Sequence, residues 1–156
     1  MNTIKHLRKQ NQWLGEYRGI HFKIVNWSFE SSQDEMTKWN YYLYLPENRC
    51  VDFKLLWHED KPQKFCETSP VRIVHDYYEG PTGQINMHGG ITWYEKLGHT
   101  EGHRRIEVGC DFMHLYDDEK TWTLEDMLHD IITAVDGLYN DNILKANESI
   151  TSSAAS

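Results

Sequence analysis

Positive charge is in deficit in this chain. Sixteen Lys and Arg stand against twenty-four Asp and Glu, a net charge of −8 with nine histidines neutral. A general nucleic-acid binder draws its affinity from Lys and Arg on phosphates, so this balance excludes direct nucleic-acid binding as the main role. It fits a protein with a basic partner. Long apolar runs are also missing. None approaches the ~18 residues of a membrane span, and the start, M-N-T-I-K-H-L-R-K, has basic residues but no apolar stretch of the signal-peptide kind. A membrane role is excluded on this reading, and the expected compartment is the cytoplasm. Cysteine is scarce and odd in number: Cys50, Cys66 and Cys110, with no C-x-x-C pair. That composition predicts free thiols in a reducing compartment rather than a disulfide framework. The compact catalytic signatures are absent as well: H-E-x-x-H, H-x-E with P-C-x-x-C, G-x-S-x-G and G-x-x-x-x-G-K do not occur.

What the chain does have is aromatic bulk, with six Trp and nine Tyr, so its apolar material comes in large pieces. At 156 residues the length suits one domain. Residues 1–146 are predicted to form it, with a disordered tail over 147–156. Thr3–Trp13 places Ile4 and Leu7 opposite Lys5, Arg8 and Lys9, which predicts a short amphipathic N-terminal helix. Tyr17–Phe29 alternates as a strand, Glu30–Glu35 reads as a hairpin loop, and Lys38–Leu45 returns as a strand ended by Pro46. On that strand Trp39, Tyr41, Leu43 and Leu45 share one face, and Tyr42 and Tyr44 the other. The stretch V-D-F-K-L-L-W-H (51–58) fits either a strand or a helical turn. A short strand over 71–78 follows, then a turn at Glu79–Gly83. Gln84–Tyr94 reads as a strand kinked at Gly89 and Gly90, and Arg105–Phe112 as another strand. Thr123 with Asp126 three residues on predicts a capping box. The helix it opens carries Leu124, Met127, Leu128, Ile131, Ile132, Val135 and Leu138 at helical spacing. The fold class is therefore α+β: an antiparallel sheet, one long C-terminal helix packed on it, and the short N-terminal helix.

The chemistry-bearing stretch runs from Met87 to Asp117. His88 precedes a Gly-Gly pair, and Asp111, His114 and Asp117 follow at three-residue intervals. Two imidazoles and two carboxylates make a sufficient shell for a transition metal such as zinc. In a strand, neighbours point to opposite faces, so only one of Cys110 and Asp111 can share a site with His88. A turn past the strand would return His114 and Asp117 over Asp111. A His–Asp hydrogen bond beside a turn accounts for the same letters without metal, and a thiolate from Cys110 is a further alternative. His99 and His103 read as members of a solvated loop.

Three ordered pieces carry a resemblance. W-N-Y-Y-L-Y-L-P (39–46), H-G-G-I-T-W (88–93) and G-C-D-F-M-H-L-Y-D (109–117), closed by the acidic amphipathic helix, resemble a set of small bacteriophage proteins. Those share a tyrosine-rich strand ending in Pro, H-G-G-[IL]-T-[YW], and G-x-D-x-x-H-x-x-D. The resemblance covers roughly residues 39 to 140. It implies that His88, Asp111, His114 and Asp117 gather around a metal. A narrower resemblance is to metal-containing phage inhibitors of type II CRISPR effector nucleases. It implies an anti-CRISPR protein acting in the host cytoplasm by protein–protein binding. The charged G-H-T-E-G-H-R-R loop departs from the pattern, as befits a surface re-aimed at a partner.

Two functions follow. In the first, zinc is structural, joining the H-G-G turn to the D-x-x-H turn, and the surface captures a host defence protein. In the second, His88, Asp111 and His114 leave an open metal position for a water-activating hydrolase, with Glu95 or Asp117 as base. The missing enzyme signatures favour the binder, with no catalytic residue assigned.

Overall fold

A computed structural model describes residues 10–28, 38–57, 59, 63–66, 86–88, 90–112 and 121–145. In chain order these form β1 (Gln10–Tyr17), β2 (Ile20–Trp27), β3 (Lys38–Pro46), a short 3-10 turn at Glu47–Arg49, α1 (Phe53–Trp57), β4 (Lys64–Cys66), β5 (Trp93–Leu97), β6 (Arg105–Asp111) and α2 (Leu124–Asn140). The strands make one six-stranded sheet in the order β1-β2-β3-β6-β5-β4, with every pairing antiparallel. The α+β class and the long C-terminal helix are as the sequence predicts.

Period-two alternation divides the sheet into two faces. Trp39, Tyr41, Leu43 and Leu45 of β3 are all buried on the inner face, in register with Phe22 and Ile24 of β2 and with Ile106, Val108 and Cys110 of β6. The helix α2 lies on this face and buries Met127, Ile131, Ala134, Val135 and Leu138. Its start is the anticipated capping box: the Asp126 N–H donates to Thr123 Oγ1 at 3.2 Å, and the Thr123 N–H donates back to Asp126 Oδ2 at 2.9 Å. Ile132 departs from the predicted stripe. It is 40% exposed, and the small Ala134 takes a core place instead. Beyond the helix the chain turns through Asn142 in the left-handed region, and Leu144 bridges to Cys50.

The ambiguous stretch at 51–58 resolves as the helical turn α1. It closes the far end of the core with Phe53, Leu56 and Trp57, and the buried Tyr94 hydroxyl donates to the Leu56 carbonyl at 2.7 Å. Buried Lys96 lies beside it, its ammonium 5.6 Å from the centre of the Trp57 ring.

Two expectations are corrected. The helix over Thr3–Trp13 does not hold across its last four residues, which open β1; Thr3–Lys9 lies outside the described residues. Pairing with β2 places Trp13 opposite Ile24, and its indole stacks on Trp39 at 5.8 Å. These tertiary contacts override a helical pattern that rested on two apolar residues. Of the strand anticipated over Gln84–Tyr94, the described residues before Trp93 (86–88 and 90–92) are not strand, and 84, 85 and 89 lie outside the described residues. Before Trp93, Gly90 takes φ +87° and donates to the Met87 carbonyl at 2.9 Å, closing a turn on His88. The Glu30–Glu35 loop, the strand at 71–78, the Glu79–Gly83 turn and the 147–156 tail lie outside the described residues, although the pairing of Trp27 with Lys38 is that of the hairpin.

The outer face carries Trp27, Tyr42, Tyr44, Trp93 and Glu107, and among the described residues no helix covers it. It is roofed by its own side chains. The Tyr42 ring lies across Gly109, where an added Cβ would meet Cδ1 at 2.5 Å. Trp93 Nε1 donates to Glu107 Oε1 at 2.6 Å, and Glu107 is only 7% exposed. Burial, with Glu107 and other acidic groups close by, pushes the Tyr42 hydroxyl up to about 12. Among the described residues no helix is long and apolar enough to cross a membrane.

Candidate functional site

The His88 turn is fastened to three elements at once. Its imidazole lies flat on the Phe112 ring at 4.0 Å with 6° between planes, and Trp122 meets it edge-on at 5.1 Å. Phe112 and Trp122 also touch each other at 4.7 Å, so the residue after β6 and the residue two before α2 enclose one ring. The His88 backbone N–H donates to Asp130 Oδ2 at 3.0 Å. The hydroxyl of Tyr41 donates to that same oxygen. One carboxylate oxygen on α2 thus ties β3 and the turn to the helix.

Cys110 completes the cluster from β6. Its sulfur lies in hydrogen-bonding contact with the Tyr41 hydroxyl and the His88 backbone, and it is 1% exposed. Burial pushes the thiol well above its ordinary value, with the Asp130 and Asp111 charges adding to the rise. The Tyr41 hydroxyl is likewise driven well up, by burial first and then by Cys110 and Asp130. Both groups are neutral in the physiological range. That is the protonation a closed polar cluster needs, and the opposite of what a nucleophilic thiolate needs. Cys50 is a second buried thiol, raised to about 12 by burial. Cys50 and Cys110 are free thiols, as expected of all three cysteines, and the Cys66 side chain lies outside what the structure describes.

Of the four residues expected to gather, the structure places two. His88 stands on the inner-face side, under α2. Asp111 is the last residue of β6, opposite Asn40, and strand alternation turns it to the outer face with Glu107 and Tyr42. The prediction that only one of Cys110 and Asp111 can face His88 therefore resolves toward Cys110. His114 and Asp117 lie outside the described residues, and no cluster of three or more metal-capable side chains occurs among the described residues. Glu95, the alternative base, is on the outer face opposite Glu107. His99 and His103 are exposed in the β5–β6 loop, as expected.

Sequence reasoning missed Asp130. The signal was present: Asp130 falls three residues after Met127 and four before Ala134, inside the apolar stripe of its own helix. A carboxylate at such a position must have a partner.

The β5–β6 loop is built on a second cluster. Glu47 takes a two-pronged bond from Arg104, with Nε to Oε1 at 2.9 Å and Nη2 to Oε2 at 3.2 Å. It also accepts the Gly102 N–H at 3.0 Å. Gly98 and Gly102, at φ +90° and +92°, let the chain double back. The guanidinium of Arg104 also lies over Trp57 at 4.8 Å and Phe53 at 5.5 Å. The charged loop is therefore rigid at its base and open at its tip.

A concavity of about 600 Å³ opens elsewhere, on the outer face, lined among others by Leu14, Glu16, His21, Tyr44 and Arg105. The sheet stands between it and the cluster at Asp130. Comparison of the chain with protein-family models, with curated proteins and with solved structures finds no match.

Proposed function

We propose that this chain is a phage-encoded binding protein that inhibits a host defence protein by direct contact in the host cytoplasm, with a type II CRISPR effector nuclease as its target. One observation carries the binding half of this reading. The titratable groups that converge in the fold, Asp130, Tyr41 and Cys110, bond to one another and to the His88 turn in a closed knot, while the open concavity lies across the sheet from them. Such a knot contributes stability and orientation. Chemistry on a substrate calls for groups aimed into a cleft. The nuclease half rests on the resemblance of the three motifs and on charge: a surface with net charge −8 complements a Lys- and Arg-rich nucleic-acid channel.

Zinc belongs to this proposal as a structural ion. The donors that suit it are His88, His114 and Asp117, two imidazoles and a carboxylate. We leave Asp111 out of the proposed set because strand alternation turns it to the face opposite Cys110.

The test is a titration of the purified chain against guide-loaded type II effector nucleases, read by DNA cleavage and by co-elution. Inhibition that completes at a stoichiometric ratio, with a stable complex, supports the reading. No complex and no inhibition across a panel of such effectors would remove the target. Inhibition by far less than one chain per nuclease, growing with time, would remove the binding mechanism in favour of catalysis.

A further inference from the structure

The outer-face concavity follows from the register of four strands. Glu16 on β1 pairs with His21 on β2, and His21 pairs with Tyr44 on β3, so the three side chains stand in one row across the sheet. Leu14, two residues before Glu16, shares that face at 77% exposure. From β6, Arg105 leans over the same row, its guanidinium 4.9 Å from the centre of the Tyr44 ring. These five side chains line the hollow of about 600 Å³, a volume in the range of ligand sites.

The floor of the hollow is held in place. The Tyr44 hydroxyl is hydrogen-bonded to Glu107, which in turn accepts from Trp93 Nε1 at 2.6 Å. Behind β1 the Phe22 ring fills the place of a side chain at Gly15, where an added Cβ would come within 2.3 Å of it. The turn after β1 is fixed to α2 by Arg18 on Asp136 Oδ1 at 2.8 Å. The rim differs. Glu16, His21 and Arg105 are exposed, and among the described residues none of them forms an ion pair. A fixed floor under charged groups that remain open to a ligand loses little order on binding.

Charge decides what fits. Glu16 marks one end, and the Arg105 guanidinium, drawn over Tyr44, marks the other, two strand spacings or about 10 Å away. A ligand of a single sign is repelled at one of these ends. One with a cation at one end and a carboxylate at the other is attracted at both, and a guanidinium offers a carboxylate a two-pronged bond. Leu14 and the Tyr44 ring supply apolar contact beside the line joining the ends. An extended peptide covers about 10 Å in three residues and carries such charges with apolar side chains between them.

We propose that this concavity is a peptide-docking site: it takes an extended segment of a partner protein, with a basic side chain at Glu16, an acidic one at Arg105 and an apolar one between them against Leu14. The site uses no residue of the Asp130 knot, so it is independent of the metal question and of which protein is the target.

The experiment follows the backbone amide resonances of the isotope-labelled full chain by NMR during titration to millimolar concentration with three tetrapeptides, K-L-A-D, K-L-A-K and D-L-A-D, each acetylated and amidated at its ends. The first should give saturable shifts centred on Leu14, Glu16, His21 and Tyr44, and each single-sign peptide should bind at least about tenfold more weakly. Glu16→Lys should weaken K-L-A-D by a similar factor and favour D-L-A-D. Adding Arg105→Glu to it should restore the preference for K-L-A-D, now in the reverse direction. Both positions are exposed, and melting curves matching wild type show that the variants are folded. Absence of shifts with all three peptides would overturn the proposal. So would equal shifts from all three, shifts centred elsewhere, or a Glu16→Lys chain that keeps the wild-type preference.

Discussion

At the scale of single residues, Asp130 carries more of the site than any residue chosen for metal chemistry. Its Oδ2 accepts from Tyr41, whose ring is fully buried, and from the His88 backbone. Removing it strands two donors, and an unsatisfied buried polar group costs about 1–3 kcal/mol. Asp130→Ala should therefore lower the unfolding free energy by roughly 2–4 kcal/mol on that scale, and Asp130→Asn, which keeps an acceptor oxygen, by less. In urea titrations the Tyr41→Phe and Asp130→Ala losses should fail to add, because each removes the same bond. Additive losses would mean that the two residues act separately. Asp130 escaped sequence reasoning because a carboxylate in an apolar stripe looks like an interruption. Only the fold shows that a tyrosine and a turn converge on it. His88 stands out in the sequence as a candidate ligand, whereas its described contacts run through its backbone N–H and its ring faces, neither of which a ligand-spacing argument examines.

At the scale of elements, what could be read from the sequence was what repeats with a period. The alternation of β3 and the capped stripe of α2 were legible because each residue's neighbours in the pattern are its neighbours in space. Where the decisive contact is long-range, the pattern misled: β1 is a strand because Trp13 finds Trp39, and the kinked strand at His88 is a turn because Gly90 closes back on Met87. The β5–β6 loop is another long-range case, held by Glu47 from the far end of β3. The Arg104 guanidinium beside Glu47 holds its carboxyl at about 2, below its ordinary 4.5. A lowered acid pKa stabilises the fold above the unfolded value and ceases to do so as pH falls through the folded one. This pair's contribution should thus be complete above about pH 4.5 and vanish toward pH 2. Glu47→Gln should melt earlier than wild type at neutral pH and converge with it as the acid range is crossed. A gap that stays constant through that window would remove the ion pair as its cause.

At the scale of the whole molecule, the sheet separates two kinds of surface, and the metal question becomes one of sides. The inner side holds His88 against Phe112 and Trp122; the outer side holds Asp111 with Glu107 and Tyr42. On the proposal made here, a zinc shell assembled through His88 leaves out Asp111, because the pleat of β6 turns Asp111 to the face opposite Cys110. Elemental analysis of the untagged protein and its variants decides between the two sides. With zinc on the His88 side, the wild type carries about one equivalent, as a single site of this kind holds. His88→Ala and His114→Ala then lose the metal and melt earlier, since the binding energy of a structural metal is folding energy. Asp111→Ala keeps both its metal and its melting point. Loss of zinc in Asp111→Ala with retention in His88→Ala would move the ion to the outer face, beside the concavity, and reopen the case for chemistry there. A wild type without zinc would leave the His88 turn held by the knot at Asp130 and by the ring contacts with Phe112 and Trp122. It would also make Asp130→Ala, rather than any histidine variant, the substitution that loosens the turn.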